Sequence, residues 1–135
     1  MSGLKSYAAA IGGETVLVDD AVALLSIAKD MLTQFGCEVL AYDDPIAARD
    51  YILSAGDRVK LLITDQSMPT LSGMALIASL DESGVKPYCV LTTGAHEPSR
   101  LSEYQARGVD AVLPKPFSLA DIESVLIQLT ASSGC

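Results

Sequence analysis

The chain has 135 residues, half of them hydrophobic but only 5% aromatic and none Trp, so a single domain is expected, with a core of Val, Leu, Ile and Ala in the α/β manner. Seventeen acidic against nine basic residues give a net charge of −8, which repels nucleic-acid phosphates and argues against direct DNA or RNA binding. Cys37, Cys89 and Cys135 lack metal-ligand and C-x-x-C spacing, and no apolar run approaches the roughly 20 residues of a membrane span, so the expectation is a soluble, cytoplasmic protein with reduced thiols.

Residues 1–13 contain an Ala-rich patch too short and too weakly apolar for a secretory signal, and they read as a linker-like N-terminal tail. Thr15 to Val18 is a β-favouring run, followed by Val22, Leu25, Ala28, Met31, Leu32 and Phe35 at helical spacing, with Gly36 as the stop. Val39 to Tyr42 makes a second strand. Asp44 and Pro45 then supply an N-cap and first-turn pair for a helix running toward Gly56. Leu61 to Thr64 is the third strand and ends at Asp65. A loop from Gln66 to Ser72 leads into a helix with Leu76, Ile77 and Leu80, closed by Gly84. Cys89 to Thr92 is the fourth strand, followed by a loop through Pro98, a helix with Leu101 and Tyr104, and a stop at Gly108. Ala111 to Leu113 is the fifth. Ser118 and Asp121 mark the start of a last helix with the stripe Ile122, Val125, Leu126 and Leu129, before a tail at 131–135.

Alternation of five strands with helices implies right-handed crossovers and a doubly wound parallel sheet covered on both faces, as one domain over residues 14–130. In such sheets ligands bind beyond the carboxyl ends of the strands. Asp19, Asp20, Asp65, Thr93 and Lys115 all stand there. Three carboxylates in one place repel unless a cation neutralises them, and all-oxygen ligands in a pocket that must also admit a phosphate suit Mg²⁺. Lys115, between Pro114 and Pro116, adds a fixed positive charge. A dication and an ammonium around one carboxylate make a phosphoryl-transfer site, with Asp65 as nucleophile and the Thr93 hydroxyl as a donor to a phosphoryl oxygen beside small Gly94. Each residue also has a plainer reading. Asp19 and Asp20 could cap the first helix, Asp65 could be a loop residue, Thr93 a strand-end hydroxyl and Lys115 a surface charge. His96 reads as an exposed loop histidine, Met68 as packing and Tyr104 as core-facing.

The runs TVLVDD, LLITDQSMPTLSG, VLTTGA and LPKPF, in that order, resemble the signature segments of the response-regulator receiver domain of two-component signalling over roughly residues 14–130. The resemblance implies sheet order 2-1-3-4-5 and Asp65 as phospho-acceptor. It implies Mg²⁺ held by Asp19, Asp20, Asp65 and the backbone carbonyl of Ser67, Thr93 as switch hydroxyl, and Lys115 as counter-charge before a cis Pro116 bond. The phosphoryl donor would be a phosphohistidine on a sensor histidine kinase or a histidine phosphotransfer protein. The phosphorylated form would act on a downstream protein through the surface of the helix around Leu101, the fifth strand and the last helix. It would phosphorylate and dephosphorylate itself as a signalling domain rather than turn over substrate, either alone, in a phosphorelay, or as the terminal receiver of a hybrid histidine kinase. Two departures stand out: Ala21 replaces a frequent acid, and Val112 stands where the family usually has a switching Tyr or Phe. Ser67 and Ala95 occupy the positions that tune hydrolysis of the acyl phosphate. A haloacid-dehalogenase-like phosphatase would need an acid where Ser67 stands, and a flavodoxin-like flavin domain would need a Gly-rich loop where Asp19-Asp20-Ala21 stands.

Overall fold

The computed structural model describes residues 5–94 and 101–133. Strands β1 (Glu14–Val18), β2 (Glu38–Tyr42), β3 (Val59–Asp65), β4 (Tyr88–Thr93) and β5 (Ala111–Pro114) form one parallel sheet in the order β2-β1-β3-β4-β5. Helices α1 (Ala8–Ile11), α2 (Val22–Gln34), α3 (Pro45–Ala55), α4 (Gly73–Glu82), α5 (Leu101–Ala106) and α6 (Leu119–Ser133) accompany it. The doubly wound architecture and the strand order are as the sequence pattern and the resemblance imply. His96, Pro98, Ala95 and Cys135 fall outside the described residues.

The central strands are buried on both faces, so they read as continuous apolar runs. Alternation along each strand divides their side chains between two cores. Leu17, Leu61, Ile63, Val90, Ala111 and Leu113 pack under α2 and α6 with Leu32, Leu126 and Leu129. Val16, Val18, Leu62 and Leu91 pack on the other face under α3 and α4 with Ile52, Leu76 and Leu80, joined by Met68 and Tyr104. Cys37 and Cys89 are buried free thiols.

Caps set where the helices begin. The Asp44 carboxylate accepts the Ile46 N–H at 3.0 Å with Pro45 as first helical residue. Asp121 accepts the Ser118 N–H at 2.8 Å while Ser118 Oγ accepts the Asp121 N–H at 3.2 Å, the reciprocal box expected from S-x-x-D.

The N-terminal stretch departs from the linker-like expectation. Tyr7 and Ile11 are buried in the α2–α6 core. The Tyr7 N–H donates to the Phe35 carbonyl at 2.8 Å, its ring meets Phe35 edge-on at 6.0 Å, and its hydroxyl donates to Glu123 at 2.8 Å. Two large apolar side chains in five residues supply the burial that the Ala-rich composition hides. At the other end, α6 runs to Ser133, so residues 131–133 are helix rather than tail. Val22, expected on the buried stripe of α2, is 63% exposed because it opens the helix at the rim of the sheet.

Candidate functional site

Strand register brings the site together. Val18 pairs with Thr64, and Asp65 pairs with Thr92, so Asp19 and Asp65 leave the sheet at one level. Thr93 pairs with Pro114, which places Lys115 one residue beyond. Asp19, Asp65 and Lys115 continue the alternation of Leu17, Ile63 and Leu113, the residues that face the α2–α6 side. The three polar residues therefore meet on one side of the sheet end.

Lys115 Nζ lies 2.9 Å from Asp19 Oδ2 and 3.3 Å from Asp65 Oδ2. Its own backbone N–H donates to the Thr93 carbonyl at 2.8 Å, which ties the end of β5 to the end of β4. The peptide bond between Lys115 and Pro116 is cis. Asp19, Asp65 and Thr93 are each buried to 7% exposure, whereas Asp20 is exposed at the mouth. The expected pairing of Lys115 with Asp65 is thus shared, with Asp19 the nearer partner. The second oxygen of Asp19, Oδ1, accepts the Ala21 N–H at 2.9 Å, so this carboxylate also orders the turn into α2. The bond reaches the N-cap residue of α2 rather than a first-turn N–H, so Asp19 shapes the turn and does not cap the helix in the sense expected from its position.

Burial pushes the Asp65 carboxyl above its ordinary range. Lys115 and a hydrogen bond from the Ser67 backbone N–H pull it down, and the Asp19 charge pushes it up. For Lys115, burial favours the neutral amine, but the hydrogen bond to Asp19 and the charges of Asp19 and Asp65 outweigh it and hold the ammonium above its usual value.

Oxygens of Asp19, Asp20 and Asp65 come within 4.8 Å of one another. Two oxygens on one Mg²⁺ at about 2.1 Å are at most about 4.2 Å apart, so modest side-chain rotation closes the gap. Among the described residues, three carboxylates against one ammonium leave an excess of negative charge. An all-oxygen donor set with that excess fits a hard dication.

Two residues that sequence reasoning passed over shape this end of the molecule. Gln66 bonds through its backbone and side chain to β4 and α4, and Gly73 starts α4 hard against the Asp65 backbone. Their only signal in the sequence is position: one follows Asp65 and the other follows the cap residue Ser72. Val112, at the departure noted above, is half-buried and packs on the α3–α4 core.

The sequence profile of the response regulator receiver domain matches residues 15–127. Over 103 residues the chain is 32% identical to the transcriptional regulatory protein CpxR of Escherichia coli (strain K12), a match covering 76% of this chain and 43% of that protein. It is 26% identical over 125 residues to the two-component response regulator ARR17 of Arabidopsis thaliana, covering 83% of this chain and 81% of the relative. Among solved structures, a response regulator receiver domain protein from Clostridium thermocellum superposes with a TM-score of 0.81 at 20% identity, covering 90% of this chain and 97% of that one. Chemotaxis protein CheY4 of Vibrio cholerae gives a TM-score of 0.73 at 22% identity, covering 84% and 95%. The chain spans less than half the length of the transcriptional regulator it matches.

Proposed function

The chain belongs to the receiver-domain family of two-component response regulators, and from that premise we propose that Asp65 accepts a phosphoryl group from a phosphohistidine of a sensor kinase or a histidine phosphotransfer protein. An Asp65 carboxylate oxygen attacks phosphorus, the P–N bond to imidazole breaks with its electron pair going to nitrogen, and the imidazole leaves. Water later cleaves the acyl phosphate and restores Asp65. The observation that carries this reading is the partly buried Lys115 ammonium bridging the buried carboxylates of Asp19 and Asp65, with Asp20 completing the acidic group.

Asp19, Asp20, Asp65 and the Ser67 carbonyl would hold Mg²⁺. That ion would supply positive charge to the phosphoryl oxygens as they approach a negative pocket. Lys115 is held protonated by its two carboxylate partners, so it stands ready to exchange Asp65 for a phosphoryl oxygen without a proton transfer. Thr93, at the end of β4, offers the hydroxyl that bonds the incoming group. Because its carbonyl is tied to the Lys115 N–H, a shift at the end of β4 reaches β5 directly. The α5–β5–α6 surface then carries the signal to a protein partner.

A donor protein must reach the mouth of the site. Leu24 and Ile27 of α2 are 48% and 54% exposed, and with Met31, Pro116 and Phe117 they line a cavity of about 440 Å³ that also contains Asp19 and Lys115. An apolar surface that ends at Asp19 and Lys115, the ion-pair partners beside Asp65, is where the phosphodonor protein would rest. No helix among the described residues is long and apolar enough to cross a membrane. The test is Mg²⁺-dependent incorporation of hydroxylamine-labile phosphate from acetyl phosphate. Incorporation in the wild type that Asp65→Asn abolishes supports the assignment, and equal incorporation in both overturns it.

A further inference from the structure

The loop that follows Asp65 is closed by its own first residue. The Gln66 N–H donates to the Thr92 carbonyl at 3.0 Å, which anchors it to β4. Its carbonyl accepts the Gly73 N–H at 3.1 Å, and its side-chain Oε1 accepts the Met74 N–H at 2.9 Å. Ser72 Oγ accepts the next donor, the Ala75 N–H, at 3.1 Å. The first three N–H groups of α4 are thus all satisfied. Helices usually meet these donors from the residue just before them. Here that residue takes one, and a residue at the far end of the loop takes the other two.

Gly73 shows how tightly the grip is drawn. A Cβ there would lie 2.5 Å from the Asp65 carbonyl oxygen and 2.7 Å from Leu91 Cδ1, so α4 begins in contact with the backbone of the acceptor residue. Met68, buried in the α3–α4 core, pins the middle of the loop. Ser67 lies between these fixed points, and its N–H already bonds the Asp65 carboxylate. The backbone of Ser67 is thereby held beside Asp65 by contacts that Gln66 gathers.

We propose that Gln66 is a positioning residue. By gripping the first turn of α4 it fixes the 67–72 loop, and so sets where the Ser67 backbone stands relative to Asp65 and to a bound cation. The proposal rests on the reading of Asp19, Asp20 and Asp65 as a cation site, and goes beyond it by naming a residue that touches neither cation nor phosphoryl group. A residue of this kind supports the metal ligands from behind, and losing such support commonly weakens binding by about tenfold or more.

The test compares two losses at the start of the same helix. MgCl₂ is titrated by calorimetry into the wild type, Gln66→Met and Ser72→Ala, and the melting temperature of each is measured without the cation. Amide exchange at Gly73 and Met74 is followed in the cation-free proteins. Gln66→Met is expected to bind Mg²⁺ about tenfold more weakly and to exchange faster at Met74, whose N–H loses its side-chain acceptor, while Gly73 keeps its bond to the residue 66 carbonyl. Ser72→Ala removes a cap without touching the loop's first residue. It is expected to lower the melting temperature comparably while keeping Mg²⁺ affinity within about twofold. Should Gln66→Met fail to fold, Gln66→Ala takes its place in the same comparison. Unchanged affinity in the Gln66 variant, or an equal loss in Ser72→Ala, overturns the proposal. Absence of Mg²⁺ binding by the wild type overturns the reading of the acidic group itself.

Discussion

The two ends of the sheet are built on opposite terms. At the amino end, Tyr7, Ile11 and Phe35 close over the strands as buried apolar groups, and the Tyr7 hydroxyl has Glu123 as its partner. At the carboxyl end, Asp19, Asp65, Thr92 and Thr93 are buried instead. Two of them are like charges that share a single ammonium. One end stabilises the fold through burial, whereas the other holds a carboxyl group above its ordinary range at some expense of stability. Substitutions at the amino end should therefore only destabilise, whereas at the carboxyl end the sign should depend on whether the ammonium or a carboxylate is removed.

The largest effect is expected at the amino end. Phe35 is 1% exposed, and Phe35→Ala should destabilise by about 3 kcal/mol in denaturant titration while leaving Mg²⁺ binding intact. A loss of Mg²⁺ affinity as well would break the separation of the two ends.

Next is Lys115→Met, which leaves two buried carboxylates facing each other. Because the Lys115 side chain is 21% exposed, the cost at neutral pH should be about 2 kcal/mol, below that of breaking a fully buried pair. That cost should shrink in acid as Asp65, raised above its ordinary value, takes up a proton.

A smaller effect of opposite sign should follow from Asp65→Asn. A carboxyl raised in the folded state costs stability whenever it is ionised, fully so above its folded pKa, and the cost vanishes below the unfolded value near 3.8. The variant should therefore be more stable than the wild type at neutral pH, with the gain fading as pH falls toward 4. Destabilisation at pH 7 would contradict the account of strain at this end. Least of all, Tyr7→Phe keeps the ring and loses only the bond to Glu123, so its melting temperature should fall by less than in Lys115→Met.

Most of the architecture was legible because its signals are local and repeated. All five strands begin or end within a few residues of their apolar runs, and the caps at Asp44 and Ser118 form as the residue types dictate. The site residues could be gathered from the sequence because parallel topology puts successive strand ends at one edge. Three features were not legible for the same physical reason, that each depends on long-range fit. Tyr7 and Ile11 are isolated apolar residues whose burial is decided by the gap between α2 and α6. Lys115 favours Asp19 through strand level rather than spacing. Gln66 and Gly73 matter through the close approach of α4 to the end of β3, which no periodicity announces.

The central claim is that the strain at the carboxyl end serves phosphoryl transfer to Asp65. Its most direct test is to incubate the full chain with Mg²⁺ and acetyl phosphate, reduce with borohydride, and map the peptides by mass spectrometry. The account predicts homoserine at position 65, the reduction product of an aspartyl phosphate, and none without Mg²⁺. Homoserine at Asp19 or Asp20, or an unmodified peptide after Mg²⁺ binding has been demonstrated, would contradict it.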